Sequence, residues 1–310
     1  MKAVRIHGRG GPAQLVYEDA PMPTLQPDDA LVRVYATGIT PAELTWDESY
    51  RNPDGSPRIP GIPGHEVSGV VEAIELRATG VSVGEAVYGL TDFPRDGAAA
   101  EYVAVRASNL APKPQRIDHV QTAAVPLSGL TAWQALFDHG GLAAGQRVLI
   151  HGGAGGVGTF AVQLARWRGA HIIATASSSN ADFLRKLGAD EVIDYRAVRF
   201  EEAARDIDVV LDPIGGETQE RSWSVLRRGG ILVALSAPIQ ADVPAKYGAR
   251  GVFFIVTPNR DELSEIARLI DAETVRPVVA DVLPLTRARE AFERGVQGHT
   301  RGKIVLQVRE

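Results

Sequence analysis

The sequence predicts an α/β fold in which a doubly wound parallel sheet is inserted in a β-rich, barrel-like domain. Three observations predict it. The first third of the chain is a series of short β-branched or aromatic runs divided by proline- and glycine-rich connectors. From Arg147 onward, near-continuous apolar runs alternate with helical periodicity, the pattern of a parallel sheet covered on both faces. The chain then returns to strand-like segments at its end.

In order, MKAVRIHG, DALVRVYATG, GVVEAIE, EAVYGL and AEYVAV read as strands of a compact antiparallel domain, linked by stretches such as PMPTLQPDD and NPDGSPRIPGIPG. The texture changes near Pro112-Lys113-Pro114, and helical periodicity begins at Ile117. Six strands follow: RVLIH, HIIATA, EVID, IDVVLD, GILVAL and VFFIVT. Their alternation with helices predicts the order 3-2-1-4-5-6. After the helix DELSEIARLIDA come VRPVVADVLPL, a helix TRAREAFERGVQ and a last strand KIVLQV, which suit the β-rich domain. The expected division is therefore 1–117 plus 273–310 for one domain and 118–272 for the other. Ligands are expected in the cleft between them.

Between the first strand and first helix of the α/β region lies VLIHGGAGGVG, in which Gly153, Gly155 and Gly158 hold the G-x-G-x-x-G spacing. Glycine allows the tight turn, the approach of backbone to a diphosphate and close helix–strand packing. The helix then aims free N–H groups and its positive end at the phosphates. Strand–loop–helix context makes this a dinucleotide fingerprint. An NAD site wants an acidic residue at the end of the next strand to bind the ribose 2′-OH. This chain has Ala176, Ser177, Ser178, Ser179 and Asn180, with no acid before Asp182. Hydroxyls and N–H groups can donate to a 2′-phosphate that a carboxylate would repel, so NADPH is favoured, with Tyr195 and Arg196 as flanking candidates. The same serines also suit a polar loop whose Asn180 caps the next helix. The missing acid argues against an adenosyl-methionine enzyme as well.

Composition narrows the rest. The chain has 310 residues, 45% hydrophobic and 23% charged, as in ordinary soluble domains. A net charge of −5 disfavours nucleic acid or anionic membranes as main partners. MKAVRIHGRGG lacks a signal-peptide core, and no run is long and apolar enough to span a bilayer, so the cytoplasm is expected. There is no cysteine, which excludes disulfides, thiol nucleophiles and thiolate zinc sites. The seven histidines are scattered, with no local ligand pair, so no metal is expected.

Motifs in series carry a family resemblance: ATGITPAE, PGIPGHEVSGVV, AAAEYVAV, PLSGLTAWQAL, GGAGGVG, LGADEVIDY, DVVLDPIGG and HTRGKIVL. The chain resembles the zinc-independent quinone oxidoreductase-like members of the medium-chain dehydrogenase/reductase superfamily, nearly end to end. The resemblance implies a Rossmann dinucleotide-binding domain inserted in a GroES-like catalytic domain. Zinc-bearing relatives place catalytic ligands where this chain has Thr40, His65 and Leu127, and their four-cysteine lobe is absent. One remaining ligand cannot hold a catalytic zinc, so His65 is read as a buried, hydrogen-bonded histidine.

The resemblance further implies an NADPH-dependent oxidoreductase that passes hydride to a quinone or to the C=C bond of an enal or enone without a metal. Catalytic candidates are Thr40, as hydrogen-bond donor to the acceptor oxygen, and Tyr50, as proton donor or pocket wall. Trp46 shares the loop with Tyr50, and Glu43 is read as structural. Cofactor candidates are Thr131, Gly153, Gly155, Gly156, Val157, Ser177, Ser178, Tyr195, Leu235, Ser236, Phe253, Phe254 and Lys303. Asp212 is read as turn chemistry. The expected partners are a small-molecule acceptor and, through the apolar edge strand VFFIVT, a second copy in a homodimer. The alternative is a non-catalytic NADPH-binding sensor or subunit.

Overall fold

The computed structural model describes all 310 residues. Contacts divide the chain into two compact units: Met1–Leu127 with Thr257–Glu273 and Pro277–Glu310, and Ser128–Val256 with Thr274–Arg276.

The first unit begins with an antiparallel ribbon of β1 (Lys2–Ile6) and β2 (Leu15–Asp19). Then come β3 (Asp29–Gly38), β4 (Glu66–Ile74), β5 (Ala86–Leu90), β6 (Tyr102–Arg106) and β7 (Leu110–Pro112). Along β3 the apolar residues alternate with the pleat: Ala30, Val32, Val34 and Ala36 are fully buried, whereas Leu31, Arg33 and Tyr35 are half-buried. Ala30, Val32 and Val34 join Val67, Val71, Val87, Val103 and Val105 in a valine-rich core. The short helix α1 (His119–Ala123) starts with a reciprocal capping box between Asp118 and Gln121.

Helix α2 (Pro126–Trp133) leads into the second unit, whose strands are β8 (Arg147–Ile150), β9 (His171–Ala176), β10 (Glu191–Asp194), β11 (Ile207–Asp212), β12 (Leu226–Ala234) and β13 (Arg250–Phe253). They form a parallel sheet in the order β10-β9-β8-β11-β12-β13, which is the expected 3-2-1-4-5-6. Between them run α3 (Gly156–Arg168), α4 (Ala181–Leu187), α5 (Phe200–Ala203), α6 (Gly216–Ser222) and α7 (Val243–Lys246). Val148, Leu149 and Ile150 are completely buried, as covering both faces of the sheet requires. The last strand differs from VFFIVT. Its ladder ends at Phe253 opposite Ala234, where β12 itself ends, so Phe254–Thr257 lie beyond the sheet.

The chain then returns to the first unit through α8 (Arg260–Asp271), β14 (Val279–Pro284), α9 (Ala288–Gln297) and β15 (Lys303–Gln307). The division expected from sequence puts α8 in 118–272. Its contacts place it with the first unit instead: the Tyr88 hydroxyl donates to Leu263 O at 2.5 Å, and Asp271 accepts the Gln115 N–H at 2.8 Å. Strand β15 pairs antiparallel with β3 and parallel with β14, so the C-terminal strands complete the first unit's seven-stranded sheet. That pairing sets Val305 opposite Gly38 and brings the start of β15 to the chain just past β3.

Candidate active site

The glycine loop of the second unit joins β8 to α3. Gly152 takes a left-handed conformation (φ 60°). A Cβ at Gly158 would stand 2.3 Å from Gly152 O and 2.7 Å from Gly153 Cα, so α3 can reach the loop only through a glycine. Gly155 differs. Its Cβ would meet nothing nearer than Gly152 O at 3.4 Å, leaving room in front of the helix. The first bond of the helix is Thr159 N–H to Gly155 O, at 3.0 Å. The N–H groups of Gly156, Val157 and Gly158 therefore have no partner in the chain. Gly155 N–H is not among them, because it donates to Gly152 O at 2.9 Å. Gly153 N–H is likewise held, by Thr175 O at 3.0 Å. Of the expected donors, Gly156 and Val157 remain, and Gly158 joins them. Gly153 and Gly155 contribute shape.

His151, the residue before the loop, stands out in the sequence only by its isolation. It anchors the loop. Ser222 Oγ donates to Thr218 O at 2.6 Å, so the 2.9 Å contact of His151 Nε2 with Ser222 Oγ makes Nε2 the donor. Nδ1 then accepts from Thr175 Oγ1 at 3.1 Å, and Thr175 Oγ1 accepts the Gly152 N–H at 3.3 Å. Burial pushes the imidazole down to about 3, which keeps it neutral for this chain of bonds.

At the end of β9, Ser177 Oγ bonds Ser179 Oγ at 3.0 Å and accepts from Asn180 Nδ2 at 3.2 Å. Asn180 precedes α4 but makes no side-chain cap, and its Nδ2 donates to Ser177. Ser178 is exposed with its hydroxyl uncommitted. Tyr195 N–H donates to Ala176 O at 3.2 Å, which sets Tyr195 beside the serine run, and the Arg196 guanidinium lies 5.6 Å from the Tyr195 ring. Serine hydroxyls follow the end of β9, and a phenol and an arginine follow the end of β10, where the Asp194 carboxylate, opposite Ala176, accepts the Arg196 N–H at 3.0 Å.

The other expected contacts divide. Leu235 and exposed Ser236 follow β12 at the same carboxyl edge of the sheet, with Ser236 Oγ against Gly215. Phe254 lies just past β13, its ring 4.3 Å from His139. Phe253 packs instead against the core around Ile173, Leu232 and Trp223, so its ring is structural. Thr131 is buried within α2. Asp212 makes a turn as read from sequence: Oδ1 accepts Ile214 N–H at 2.9 Å and Gly215 N–H at 3.0 Å.

In the first unit, Thr40 follows β3 and is half-buried. Lys303, at the start of β15, donates from Nζ to Ile39 O at 2.8 Å and to Thr40 Oγ1 at 3.1 Å, and pairs with Glu66 Oε2. The resemblance places Lys303 at the cofactor. It is buried, and an ammonium has three protons, so these three partners complete it. Glu66 is held in turn by Leu127 N–H on Oε1 at 3.0 Å. Only a glycine at 38 permits this, since a Cβ there would stand 2.6 Å from Glu66 Oε2.

Below lies a second buried carboxyl. Glu43 Oε2 accepts Gly64 N–H at 2.8 Å and stands 3.7 Å from His65 Nε2, while Oε1 has no partner. Burial raises its pKa to about 7, against the pull of the Gly64 N–H and Lys303. His65 is buried as expected, bonded through Nδ1 to Thr91 Oγ1 at 2.8 Å, and burial holds its pKa at about 3. Trp46 and Phe93 pack on its ring at 6.3 and 5.1 Å. Tyr50, expected as a proton donor or pocket wall, is committed elsewhere. It is buried and its hydroxyl donates to Leu44 O at 2.6 Å.

Residues 26–115 match the alcohol dehydrogenase GroES-like domain, and residues 187–306 match the zinc-binding dehydrogenase family. The NAD(P)H oxidoreductase RTN4IP1 of Danio rerio, described as mitochondrial, is 32% identical over 94% of this chain and 87% of its own length. A solved quinone oxidoreductase from Coxiella burnetii superposes with a TM-score of 0.92 at 31% identity, covering 100% of this chain and 99% of that one. The chain belongs to the medium-chain dehydrogenase/reductase superfamily, in its quinone oxidoreductase-like branch. This oxidoreductase family includes a further relative, the chloroplastic NADPH-dependent alkenal/one oxidoreductase of Arabidopsis thaliana. It is 32% identical over 92% of this chain and 73% of its own length. The superfamily's zinc does not fit here: Thr40, His65 and Leu127 supply one ligand, and no three His, Cys, Asp or Glu side chains gather to hold a metal ion. A dinucleotide does fit, through three free N–H groups at the head of α3 and the open space beside Gly155.

Proposed function

We propose that the protein is an NADPH-dependent oxidoreductase that passes hydride to a quinone, or to the C=C bond of an enal or enone, without a metal. The observation that carries this is the head of α3, where three N–H groups have no partner in the chain and the absence of a Cβ at Gly155 leaves space. The cofactor is NADPH. When bound, it supplies the hydride. Gly156, Val157 and Gly158 bind the diphosphate, while Ser178, Tyr195 and Arg196 hold the 2′-phosphate. Thr40 donates from its hydroxyl to the acceptor oxygen as negative charge builds there. The names of the Coxiella and Arabidopsis relatives support the two acceptor classes.

One observation favours a second reading, a non-catalytic NADPH sensor or subunit: with Tyr50 bonded to Leu44, Thr40 is the remaining expected side-chain donor. Stopped-flow oxidation of bound NADPH by a panel of quinones and short enals separates the two. Turnover of either class is expected; tight binding with no turnover on any acceptor decides for the sensor. Ser178→Asp tests the cofactor, because a carboxylate there repels a 2′-phosphate. Its Kd for NADPH should rise roughly tenfold or more, about 1.4 kcal/mol, with NADH spared. An unchanged NADPH-to-NADH preference sinks the assignment.

The proposed partner is a second copy. Strand β13 is the outermost of its sheet, paired only with β12, and its open edge suits pairing across a two-fold axis. Sedimentation of a monomer alone at micromolar concentration rejects this. The cytoplasm is the proposed compartment. No helix is long and apolar enough to cross a membrane, and two of the relatives are named for mitochondria and chloroplasts.

A further inference from the structure

A buried lysine is costly unless every proton of its ammonium is matched. Lys303 meets that demand with Ile39 O, Thr40 Oγ1 and Glu66, and the Glu66 carboxylate is fixed on its other oxygen by Leu127 N–H. Two of these partners, a carbonyl and a carboxylate, would suffice to place the charge. The third is a half-buried hydroxyl, and the pairing dictates what that hydroxyl can do. An ammonium accepts no hydrogen bond, so Thr40 Oγ1 is the acceptor and must direct its own proton elsewhere. No group of the chain accepts it: Thr40 makes no side-chain cap to the helical turn it precedes, and the Lys303 bond is its side chain's one hydrogen bond.

We propose that Lys303 is a positioning residue for the reaction, acting through Thr40. Its ammonium occupies one lone pair of Thr40 Oγ1, fixes the hydroxyl's rotation and turns its proton outward to the acceptor oxygen. The chain of donors runs Lys303 Nζ–H to Thr40 Oγ1, then Thr40 O–H to the quinone or enone oxygen. Charge developing on that oxygen draws the Thr40 proton closer, and the cation behind it strengthens the bond in the same direction, as coupled hydrogen bonds in low dielectric do. A lone threonine at a strand end would rotate freely. Glu66 keeps the cation in register, and Gly38 leaves the space in which Glu66 sits. The ammonium itself does not touch the acceptor or the cofactor. This role rests on the reading of Thr40 as donor to the acceptor oxygen.

A double-mutant cycle on the full-length protein tests it. Thr40→Val removes the hydroxyl at constant shape, and kcat is expected to fall roughly hundredfold, the effect of losing one oxyanion donor. Lys303→Met with Glu66→Gln removes both buried charges together, so neither is left unpaired. It is expected to lower kcat about tenfold, to leave the Kd for NADPH within about twofold, and to have no further effect in the Thr40→Val background. The outcomes decide separately. If Thr40→Val keeps the wild-type kcat, or the wild type turns over no acceptor, the reading of Thr40 fails and Lys303 falls with it. If Thr40→Val is slow but the charge-free pair is as fast as the wild type, Thr40 stands and the role of Lys303 is overturned. That role is overturned equally if the pair is as damaging with Thr40 as without it, or if NADPH binding weakens tenfold, which marks a cofactor contact. Should the charge-free pair not fold, Lys303→Arg replaces it in the cycle. The planar guanidinium cannot reproduce the ammonium's bond to Thr40, so a loss confined to the Thr40 background supports the proposal; wild-type activity, or a loss of equal size in Thr40→Val, overturns it.

Discussion

The two candidate regions reach a polar function by opposite means. At the head of α3 the chain offers backbone N–H groups and almost no side chains, so the site is made by what is missing: a Cβ at 155, and hydrogen-bond partners for residues 156 to 158. Around Thr40 it offers buried ionisable groups, with Lys303, Glu66 and Glu43 placed where burial is costly and each bond matters. The first region is set by local sequence. The second exists only because β15 returns from the far end of the chain to pair with β3. The difference predicts how each should fail.

Within the glycine loop, the largest effect is expected from a single methyl group, and its position decides which property is lost. Gly158→Ala places a carbon 2.3 Å from Gly152 O, against backbone that cannot yield cheaply. It should cost about 3 kcal/mol or more of stability, at the upper end of overpacking, and abolish NADPH binding with it. Gly155→Ala meets only ordinary contact at 3.4 Å. It should leave the melting temperature nearly unchanged while weakening NADPH roughly tenfold or more, because the methyl enters the phosphate's space. Thermal melts paired with fluorescence titration check both. If both variants lose stability equally, the separation between packing glycine and binding glycine is wrong.

In the charged region the matching perturbation is pH. The folded state holds the Glu43 proton up to about 7, against 4.5 for an ordinary glutamate. A raised carboxyl pKa gives stability that is fully present below 4.5 and lost as pH rises toward 7, in total about 3 kcal/mol. The groups facing it are His65 at 3.7 Å, Gly64 N–H, and the opposed charges of Lys303 and Glu66. His65, held at about 3, works in the other direction: its contribution is lost as pH falls below 6.5. The same holds for His151, at about 3, and His119, at about 4. Glu43→Gln removes only the carboxyl's share. Urea melts from pH 4.5 to 8 should show the variant gaining on the wild type across that window and level above 7. Parallel curves would remove the buried proton from Glu43.

How much of each region was legible in sequence follows from the same contrast. The strand order, the loop and the serine-rich strand end were readable because glycine spacing and apolar periodicity are local. The division of donors within the loop was not, since Gly155 N–H folding back on Gly152 O depends on a left-handed Gly152. His151 looked like an isolated histidine because Thr175 and Ser222 are remote in sequence. The family resemblance carries Lys303 to the cofactor, with a solvated lysine as the alternative, and only β15–β3 pairing reveals its burial. Glu43 reads from sequence as structural, but its side-chain partner is Gly64 N–H, 21 residues on, and its raised pKa needs the closure of Gly64, His65 and Lys303 around it.

Tyr50 gives the smallest expected effect and a control on the whole contrast. As a phenol on the loop that the resemblance sets over the substrate, it reads from sequence as a proton donor or a pocket wall. In the fold its ring is buried under the Arg9 guanidinium, 4.4 Å from the ring centre, and its hydroxyl donates to Leu44 O at 2.6 Å. Tyr50→Phe therefore removes one buried neutral hydrogen bond and leaves a carbonyl without that partner. The cost should be about 1 kcal/mol in stability, with kcat unchanged within about twofold. If kcat falls tenfold instead, the hydroxyl must leave Leu44 to meet the acceptor, and Thr40 would no longer be the donor on which the first unit's chemistry rests. An unchanged kcat beside a slow Thr40→Val leaves the hydroxyl backed by a buried cation as the group that acts, and the hydroxyl bonded to a carbonyl as part of the fold.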